Sequence, residues 1–280
     1  MSPSEKPYRG RLAPSPTGLL HLGHARTFWT AQERTRAKGG TLILRNKDMD
    51  ATRFKLEFVS QMIEDLRWFG FDWQEGPDCG GPCAPYNQSE RKEIYRAALE
   101  KLRAGGFIYP CTCSRKDIRD AASAPNAENG EPIYPGTCRS NRQSEIVNRK
   151  FSWRFRVPDG ETISFTDGNF GAQRFAAAKD FGDFVVWRHD DVPAYQLACV
   201  VDDAAMQVTE VVRGADLLVS TARQVLLYRA LRLTPPEFFH CALMLDRQGQ
   251  RLAKRHDALS LRVLRGRGKT PAELRQSWRK

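Results

Sequence analysis

The sequence contains no long apolar run, and no stretch approaches the roughly 20 consecutive apolar residues that a membrane-spanning helix needs. The first eleven residues, MSPSEKPYRGR, lack the apolar core that a secretory signal peptide requires. Internal repeats and low-complexity segments are also absent, which excludes repeat and compositionally biased architectures. We therefore expect a cytoplasmic protein that does not bind a membrane.

Acidic residues are outnumbered, since 33 Asp and Glu stand against 44 Lys and Arg, for a formal net charge of +11. Such an excess suits a polyanionic partner, because cations that neutralise phosphates release counterions. A generally basic surface would explain the composition equally well. The tripeptide Gly268-Lys269-Thr270 resembles the end of a P-loop, but that motif needs glycine at position 263, which is Val263. A P-loop is therefore excluded.

The seven cysteines are an odd number, and disulfides are not expected in a reducing compartment. Cys111-Thr-Cys113 and the later Cys138 could supply three corners of a tetrahedral zinc site. No histidine lies nearby, so Tyr134, four residues before Cys138, is the available fourth ligand. Three metal-free reduced cysteines are the alternative. A structural zinc is the hypothesis, because the surrounding segment has little apolar content to organise it.

Strand-like and helix-like patterns alternate along the first hundred residues, which favours βαβ units and a parallel sheet. Between residues 109 and 149 no amphipathic period is visible, and the α/β rhythm returns afterwards. The sequence thus predicts an α/β catalytic domain interrupted by an insertion. The predicted divisions are the first half of the domain (1–79), the inserted subdomain (80–175, with zinc at about 109–149), the second half (176–235) and a C-terminal segment (236–280).

The most informative segment joins RLAPSPTG (11–18) to HLGH (21–24). An extended run, a Pro/Gly turn and a helix-like pattern predict a strand–turn–helix with His21 and His24 on one face of the first helical turn. Unpaired N–H groups and the helix dipole favour phosphate there, and Gly23 leaves room for a nucleotide. Two surface histidines are the alternative, since an HxGH pattern alone is common by chance.

Together these segments resemble the signature of the glutamyl group of the class I aminoacyl-tRNA synthetases. RLAKR (251–255) stands where the second class I signature is expected. Other segments match the group in the same order: LRNKDMDATR (44–53), GPDCGGPCAPYNQSER (76–91), YQLACVVDD (195–203) and VVRGADLLVSTARQ (211–224). The resemblance covers residues 9–258. It implies a Rossmann-type parallel sheet, an inserted zinc-containing α/β subdomain and a short helical C-terminal segment.

The length and the CxC…YxxxC pattern resemble the short paralogues that attach glutamate to the queuosine base of tRNA(Asp). This resemblance implies a monomeric ligase without an anticodon-binding domain, which uses ATP and Mg²⁺ to form glutamyl-adenylate. A truncated glutamyl-tRNA synthetase that charges the tRNA 3′ end is one alternative. A catalytically impaired RNA-binding paralogue is another, and a small-molecule nucleotidyltransferase is a third that the downstream motifs disfavour.

The resemblance also assigns roles to individual residues. The catalytic group consists of His21, His24 and Lys254. ATP would be bound by these three together with Pro14, Gly23 and Arg251. Glutamate would be bound by Arg11, Leu12, Ala13, Pro14, Ser15, Lys47, Tyr195 and Arg213. The zinc ligands would be Cys111, Cys113, Tyr134 and Cys138.

One position departs from the family pattern R-I-E-D-x-D, because Lys47 stands where the pattern has glutamate. The resemblance implies that this glutamate accepts a hydrogen bond from the substrate's α-ammonium group, so a lysine places like charges together. Three interpretations are open. Lys47 turns outward and Asp48 or Asp50 replaces it, or Lys47 is neutral, or the pocket no longer binds an ordinary amino acid.

Overall fold

A computed structural model of the chain describes residues 6–49, 56–121, 132–141, 146, 149–244 and 260–279. The chain forms two compact units, the first comprising residues 1–90, 207–215 and 236–280 and the second comprising residues 91–206 and 216–235. Within the described ranges, no helix has the length and apolar character needed to cross a membrane.

Helices and strands alternate along both units, which confirms the predicted α/β class. In chain order they are β1 (Arg9–Leu12), α1 (Leu22–Ala37), β2 (Thr41–Leu44), α2 (Leu56–Phe69), α3 (Lys92–Ala104), β3 (Ile108–Cys111), α4 (Arg115–Ala121), β4 (Ser152–Phe155), β5 (Thr162–Asp167), β6 (Gly171–Ala176), β7 (Phe184–Trp187), α5 (Tyr195–Ala205), β8 (Glu210–Gly214), α6 (Leu218–Ala230), β9 (Glu237–Cys241), α7 (Leu261–Gly266) and α8 (Pro271–Gln276).

The first unit contains two parallel strand pairs, β1 with β2 and β8 with β9. The backbone N–H of Thr209 donates to the carbonyl of Arg9 at 2.9 Å, so β1 runs beside β8 and the order is β2-β1-β8-β9. Alternate residues of these strands join the apolar core that also includes residues of α1: Leu12, Leu42, Leu44 and Val212. Because side chains alternate along a strand, their immediate neighbours lie on the opposite face.

A buried carboxylate ties α1 to this layer. Glu210 in β8 accepts hydrogen bonds from Arg34 Nε at 2.6 Å and from the Tyr8 hydroxyl at 2.6 Å. Burial raises the pKa of Glu210, but the bonds from Arg34 and Tyr8 outweigh it, and the net shift is downward. The paired carboxylate is therefore ionised and stabilises the first unit at neutral pH.

The second unit is built around the antiparallel strands β3, β4 and β7, with β5 and β6 forming a hairpin. Helices α3 and α5 are joined by a buried polar cluster, in which Asp202 accepts hydrogen bonds from Arg91 Nε at 2.7 Å and from the Tyr95 hydroxyl. This arrangement satisfies a carboxylate that is fully buried.

The segment at 109–149, which the sequence predicts to be irregular, contains regular structure at its start. Strand β3 occupies Ile108–Cys111, and α4 occupies Arg115–Ala121. Pro110 lies inside β3 opposite Trp153, and a proline within a short run weakens the strand signal. A seven-residue helix is likewise too short to show a period. The parallel sheet is confirmed, whereas the zinc-containing subdomain remains a prediction.

Candidate active site and metal centre

The two signature histidines lie together at the beginning of α1. His21 is the N-cap residue, and its Nδ1 accepts a hydrogen bond from the backbone N–H of Gly23 at 3.2 Å. The imidazole rings of His21 and His24 are stacked, with centroids 3.7 Å apart and an angle of 28° between their planes. The i, i+3 spacing therefore brings both rings to one face of the first turn, as predicted.

Gly23 has a packing role that the sequence did not indicate. A Cβ atom at this position would lie 3.1 Å and 3.2 Å from two ring atoms of His21, which is tighter than ordinary contact. The missing side chain thus allows the His21 ring to fold over the helix start. Ser260 forms a β-bridge with His21, and the N–H of Leu261 donates to the carbonyl of Leu20 at 2.7 Å. The chain that follows residues 245–259 therefore begins beside the histidine pair.

Cationic side chains occupy the face of the β2-β1-β8-β9 layer opposite the apolar core. Arg11, Arg45 and Arg213 lie there, with exposed fractions of 5%, 0% and 5%. Arg11 Nη1 donates to the carbonyl of Val212 at 2.8 Å. We call these three residues together with Lys47 the cationic face. Planar guanidinium groups are suited to carboxylates, which they bind through paired hydrogen bonds.

His240 belongs to the same face and is a residue that sequence reasoning missed. It is fully buried in β9, opposite Arg213 in register, and its Nε2 accepts a hydrogen bond from Arg213 Nε at 3.1 Å. An accepting nitrogen carries a lone pair, so this contact orients the guanidinium without adding a charge at Nε2. Arg45 was also missed, although it directly follows the apolar run of β2.

The hydrogen bonds of the β1–β2 ladder continue beyond the strands and place Lys47. The N–H of Arg45 donates to the carbonyl of Leu12 at 2.8 Å, and the N–H of Lys47 donates to that of Pro14 at 3.0 Å. Continued in register, Lys47 lies opposite Ser15, on the face that carries Arg11. Lys47 is half-buried there, whereas the side chain of Leu12 packs in the core on the other face.

Asp48 has a structural partner of its own. Its two carboxylate oxygens accept hydrogen bonds from the backbone N–H of Ser89 at 2.9 Å and from the Ser89 hydroxyl at 2.5 Å. Asp48 is buried in this arrangement, and both of its oxygens hold the 3₁₀ turn Gln88–Arg91. This finding disfavours the interpretation in which Asp48 replaces the family glutamate. Asp50 lies outside the described residues.

In the second unit, the predicted metal ligands come together. The Sγ atoms of Cys111, Cys113 and Cys138 all lie within 4.8 Å of one another, and those of Cys113 and Cys138 are 3.5 Å apart. The Tyr134 hydroxyl oxygen lies 3.4 Å from the Sγ of Cys111 and 3.6 Å from that of Cys113. Ligands of a tetrahedral zinc ion are separated by about 3.5–3.8 Å, so the four atoms fit zinc.

A buried arginine lies against these four residues. Arg154 Nε donates to Cys111 Sγ at 3.2 Å, and its guanidinium carbon lies 4.1 Å from the centroid of the Tyr134 ring. Burial raises the pKa of Cys138, but hydrogen bonds, first among them the one with Tyr134, outweigh this effect and lower that pKa to about 7. Desolvation raises the pKa of Tyr134, as do its contacts with the thiols. A bound cation would reverse that direction.

Three predicted site residues are not part of these groupings. Tyr195 begins α5 in the second unit and is half-buried. Arg251 and Lys254 lie outside the described residues. Their roles stay predictions.

Comparison with known proteins agrees with these groupings. A family model described as the catalytic domain of class I tRNA synthetases (E and Q) matches residues 8–279. The chain belongs to this family. It is therefore a ligase of the aminoacyl-tRNA synthetase type.

Two relatives are named glutamyl-Q tRNA(Asp) synthetase. The protein from Symbiobacterium thermophilum is 52% identical over 268 residues, which cover 94% of this chain and 82% of that protein. The protein from Nitratidesulfovibrio vulgaris is 48% identical over 271 residues, with coverages of 95% and 83%. Glutamate–tRNA ligase 2 from Nitrosococcus oceani is 42% identical, and the match covers 94% of this chain and 57% of that protein.

Solved structures show the same relation. The glutamate-tRNA synthetase of Elizabethkingia anophelis superposes with a TM-score of 0.78 at 31% identity, covering 89% of this chain and 53% of that chain. The chain thus spans about half the length of the solved synthetase that it matches.

Proposed function

We propose that this protein activates glutamate with ATP and transfers it to the queuosine base of tRNA(Asp). The observation that carries the amino-acid part is the cationic face, which gathers three buried guanidinium groups at one layer of parallel strands. The tRNA part is supported by the identity to proteins named glutamyl-Q tRNA(Asp) synthetase, which at 52% exceeds the 42% to a glutamate–tRNA ligase.

A dicarboxylic amino acid fits the charge of the cationic face. Glutamate carries two carboxylates at neutral pH, and Arg11 and Arg213 each offer a planar set of donors. The two arginines come from strands that share one layer, and the bonds to Val212 and His240 fix their orientation. Ligands of parallel α/β sheets bind at the carboxyl ends of strands, where these side chains stand.

ATP fits the beginning of α1. The stacked His21 and His24 and the N–H groups of the first turn form a positively polarised end that suits phosphate. In the reaction, a glutamate carboxylate oxygen attacks the α-phosphorus, an acyl–phosphate bond forms, and the bond to pyrophosphate breaks. This step needs no protein nucleophile, and positioning and charge stabilisation supply the rate. Arg251 and Lys254 would add positive charge at the leaving phosphates, with Mg²⁺ expected on ATP.

A structural zinc ion fits the cluster formed by Cys111, Cys113, Tyr134 and Cys138. Three thiolates and a phenolate exceed the charge of Zn²⁺, and the buried guanidinium of Arg154 offsets part of the excess. The ion would cross-link β3 to the chain around residue 138. It has no part in the transfer chemistry.

Two measurements with purified, zinc-loaded protein test this function. The first is ATP–pyrophosphate exchange with each of the twenty amino acids, and we expect exchange to depend on glutamate. The second follows radiolabelled glutamate into tRNA(Asp) that carries queuosine, with the same tRNA lacking the modification as the matched control.

The position of the label then decides between the candidates. We expect it in the anticodon-stem fragment after nuclease cleavage, and we expect acceptance to survive removal of the 3′-terminal adenosine. Label confined to the 3′ end would indicate a glutamyl-tRNA synthetase activity instead. Exchange absent with all twenty amino acids would contradict the proposal and favour a non-catalytic RNA-binding paralogue.

A further inference from the structure

The connection between α7 and α8 presents three cations in five residues. Residues 265–269 read Arg-Gly-Arg-Gly-Lys, and all five are exposed. We call this segment the basic turn. Glycine alternates with the cations, and a side chain added at Gly266 or Gly268 would meet nothing within 4 Å. A large ligand can therefore approach the backbone of the turn closely.

The basic turn has a defined conformation. The N–H of Arg267 donates to the carbonyl of Val263 at 3.0 Å, and the N–H of Lys269 donates to that of Leu264 at 3.1 Å. Gly268 has a φ of 75°, a conformation that favours glycine. A capping box formed by Thr270 and Glu273 starts α8 immediately after the turn.

Apolar side chains hold the turn against the first unit. Leu264 precedes it and Leu274 follows it, and both are buried in the apolar core of that unit. The cations are thus displayed on a supported loop, so their binding to a ligand would cost less conformational entropy than that of a flexible tail.

The acidic groups close to the turn are already engaged. Glu64 accepts from both Arg262 and Arg265, at 2.7 Å and 2.8 Å, and Glu273 accepts from Thr270. Within the described ranges, Arg267 and Lys269 form no ion pair with a carboxylate. The turn therefore carries at least two positive charges that no described carboxylate pairs with, on a chain whose net charge is +11.

We propose that the basic turn binds the phosphate backbone of the tRNA substrate. This inference rests on the proposed function for the identity of the polyanion. Two exposed cations separated by a glycine can meet neighbouring phosphates, and glycine allows the strand to come near. Contacts of this kind position the RNA without reading its sequence. An acidic protein or an anionic lipid surface is left as an outcome of the test.

The test compares the parental protein with the double variant Arg267→Gln/Lys269→Gln. Binding of tRNA(Asp) is measured by fluorescence anisotropy between about 50 and 300 mM salt. We expect affinity to fall about tenfold at 0.1 M salt. We also expect the slope of log K against log salt to decrease by about 1.5, since each lost phosphate contact removes about 0.7–0.9. The variant Lys38→Gln/Lys101→Gln removes the same charge at exposed helical sites and is the matched control.

Exchange of pyrophosphate with glutamate and ATP, measured without tRNA, separates this inference from the proposed function. We expect the double variant to retain the parental exchange rate, which also shows that it folds. A parental protein that binds tRNA but catalyses no exchange would overturn the proposed activity and leave the binding result valid. An affinity and a salt slope equal to those of the control variant would overturn the inference. So would a loss confined to binding of anionic vesicles.

Discussion

Replacement of Lys47 by glutamate should strengthen glutamate binding. The ladder hydrogen bond from Lys47 to Pro14 places this residue on the cationic face, opposite Ser15. An ammonium group there repels the α-ammonium of a bound amino acid, and the carboxylate of Asp48 is held by Ser89. Lys47→Glu replaces the repulsion by an attraction, whereas Lys47→Met removes the charge and keeps a similar length.

The size of the effect follows from Coulomb's law. At a separation of about 5 Å, two unit charges interact by about 3 kcal/mol at an effective dielectric constant of about 20 and by about 1.5 kcal/mol at about 40. The half-buried position of Lys47 favours the smaller figure. Loss of the charge should therefore lower the KM for glutamate roughly tenfold, and its reversal should lower it roughly 100-fold, since 1.4 kcal/mol corresponds to a factor of ten.

Glutamate-dependent ATP–pyrophosphate exchange measures this constant without tRNA. Lys101→Glu makes the same charge change on the exposed surface of α3 and should leave the KM unchanged. The graded order of Lys47, Met and Glu is the decisive feature. An unchanged KM in both variants would show that residue 47 does not contact the amino acid, and a raised KM for Lys47→Glu would show that Lys47 itself binds a carboxylate.

Two further predictions concern stability and metal binding. Arg154→Gln should weaken zinc retention about tenfold, because it removes the cation beside Cys111; chelator-driven zinc release measures this, and Arg156→Gln, which changes an exposed neighbour, should match the parental protein. Glu210→Gln should lower the free energy of unfolding in urea by about 2–3 kcal/mol at pH 7, with the exposed Glu237→Gln as control. Because the folded-state pKa of Glu210 is lowered, its contribution is present above the unfolded pKa and is lost as pH falls through the folded value. The deficit of Glu210→Gln should therefore shrink below about pH 4, and a constant deficit would contradict the ionised pair.

Much of the fold could be predicted because its signals are local. The helical spacing of apolar residues placed α2 and α3, and the apolar run after residue 40 placed β2. Elements without such a period were missed. Strand β3 contains Pro110 and α4 has only seven residues, so both depend on tertiary packing that a single sequence does not display.

The candidate site divides in the same way. The spacing of His21 and His24 predicted their proximity, and the CxC…YxxxC pattern predicted the cluster of Tyr134 with the three thiols. The pairing of Arg213 with His240 could not be predicted, because it depends on the register of two strands about 25 residues apart. The role of Gly23 also needed coordinates, since it depends on where the His21 ring lies.

The most direct test of the central claim is the position of the glutamate that the zinc-loaded protein transfers to tRNA(Asp). With queuosine-containing tRNA that lacks its 3′-terminal adenosine, we expect glutamate-dependent and ATP-dependent labelling that nuclease cleavage places in the anticodon-stem fragment. Labelling that disappears with the 3′-terminal adenosine and is indifferent to queuosine would contradict the account.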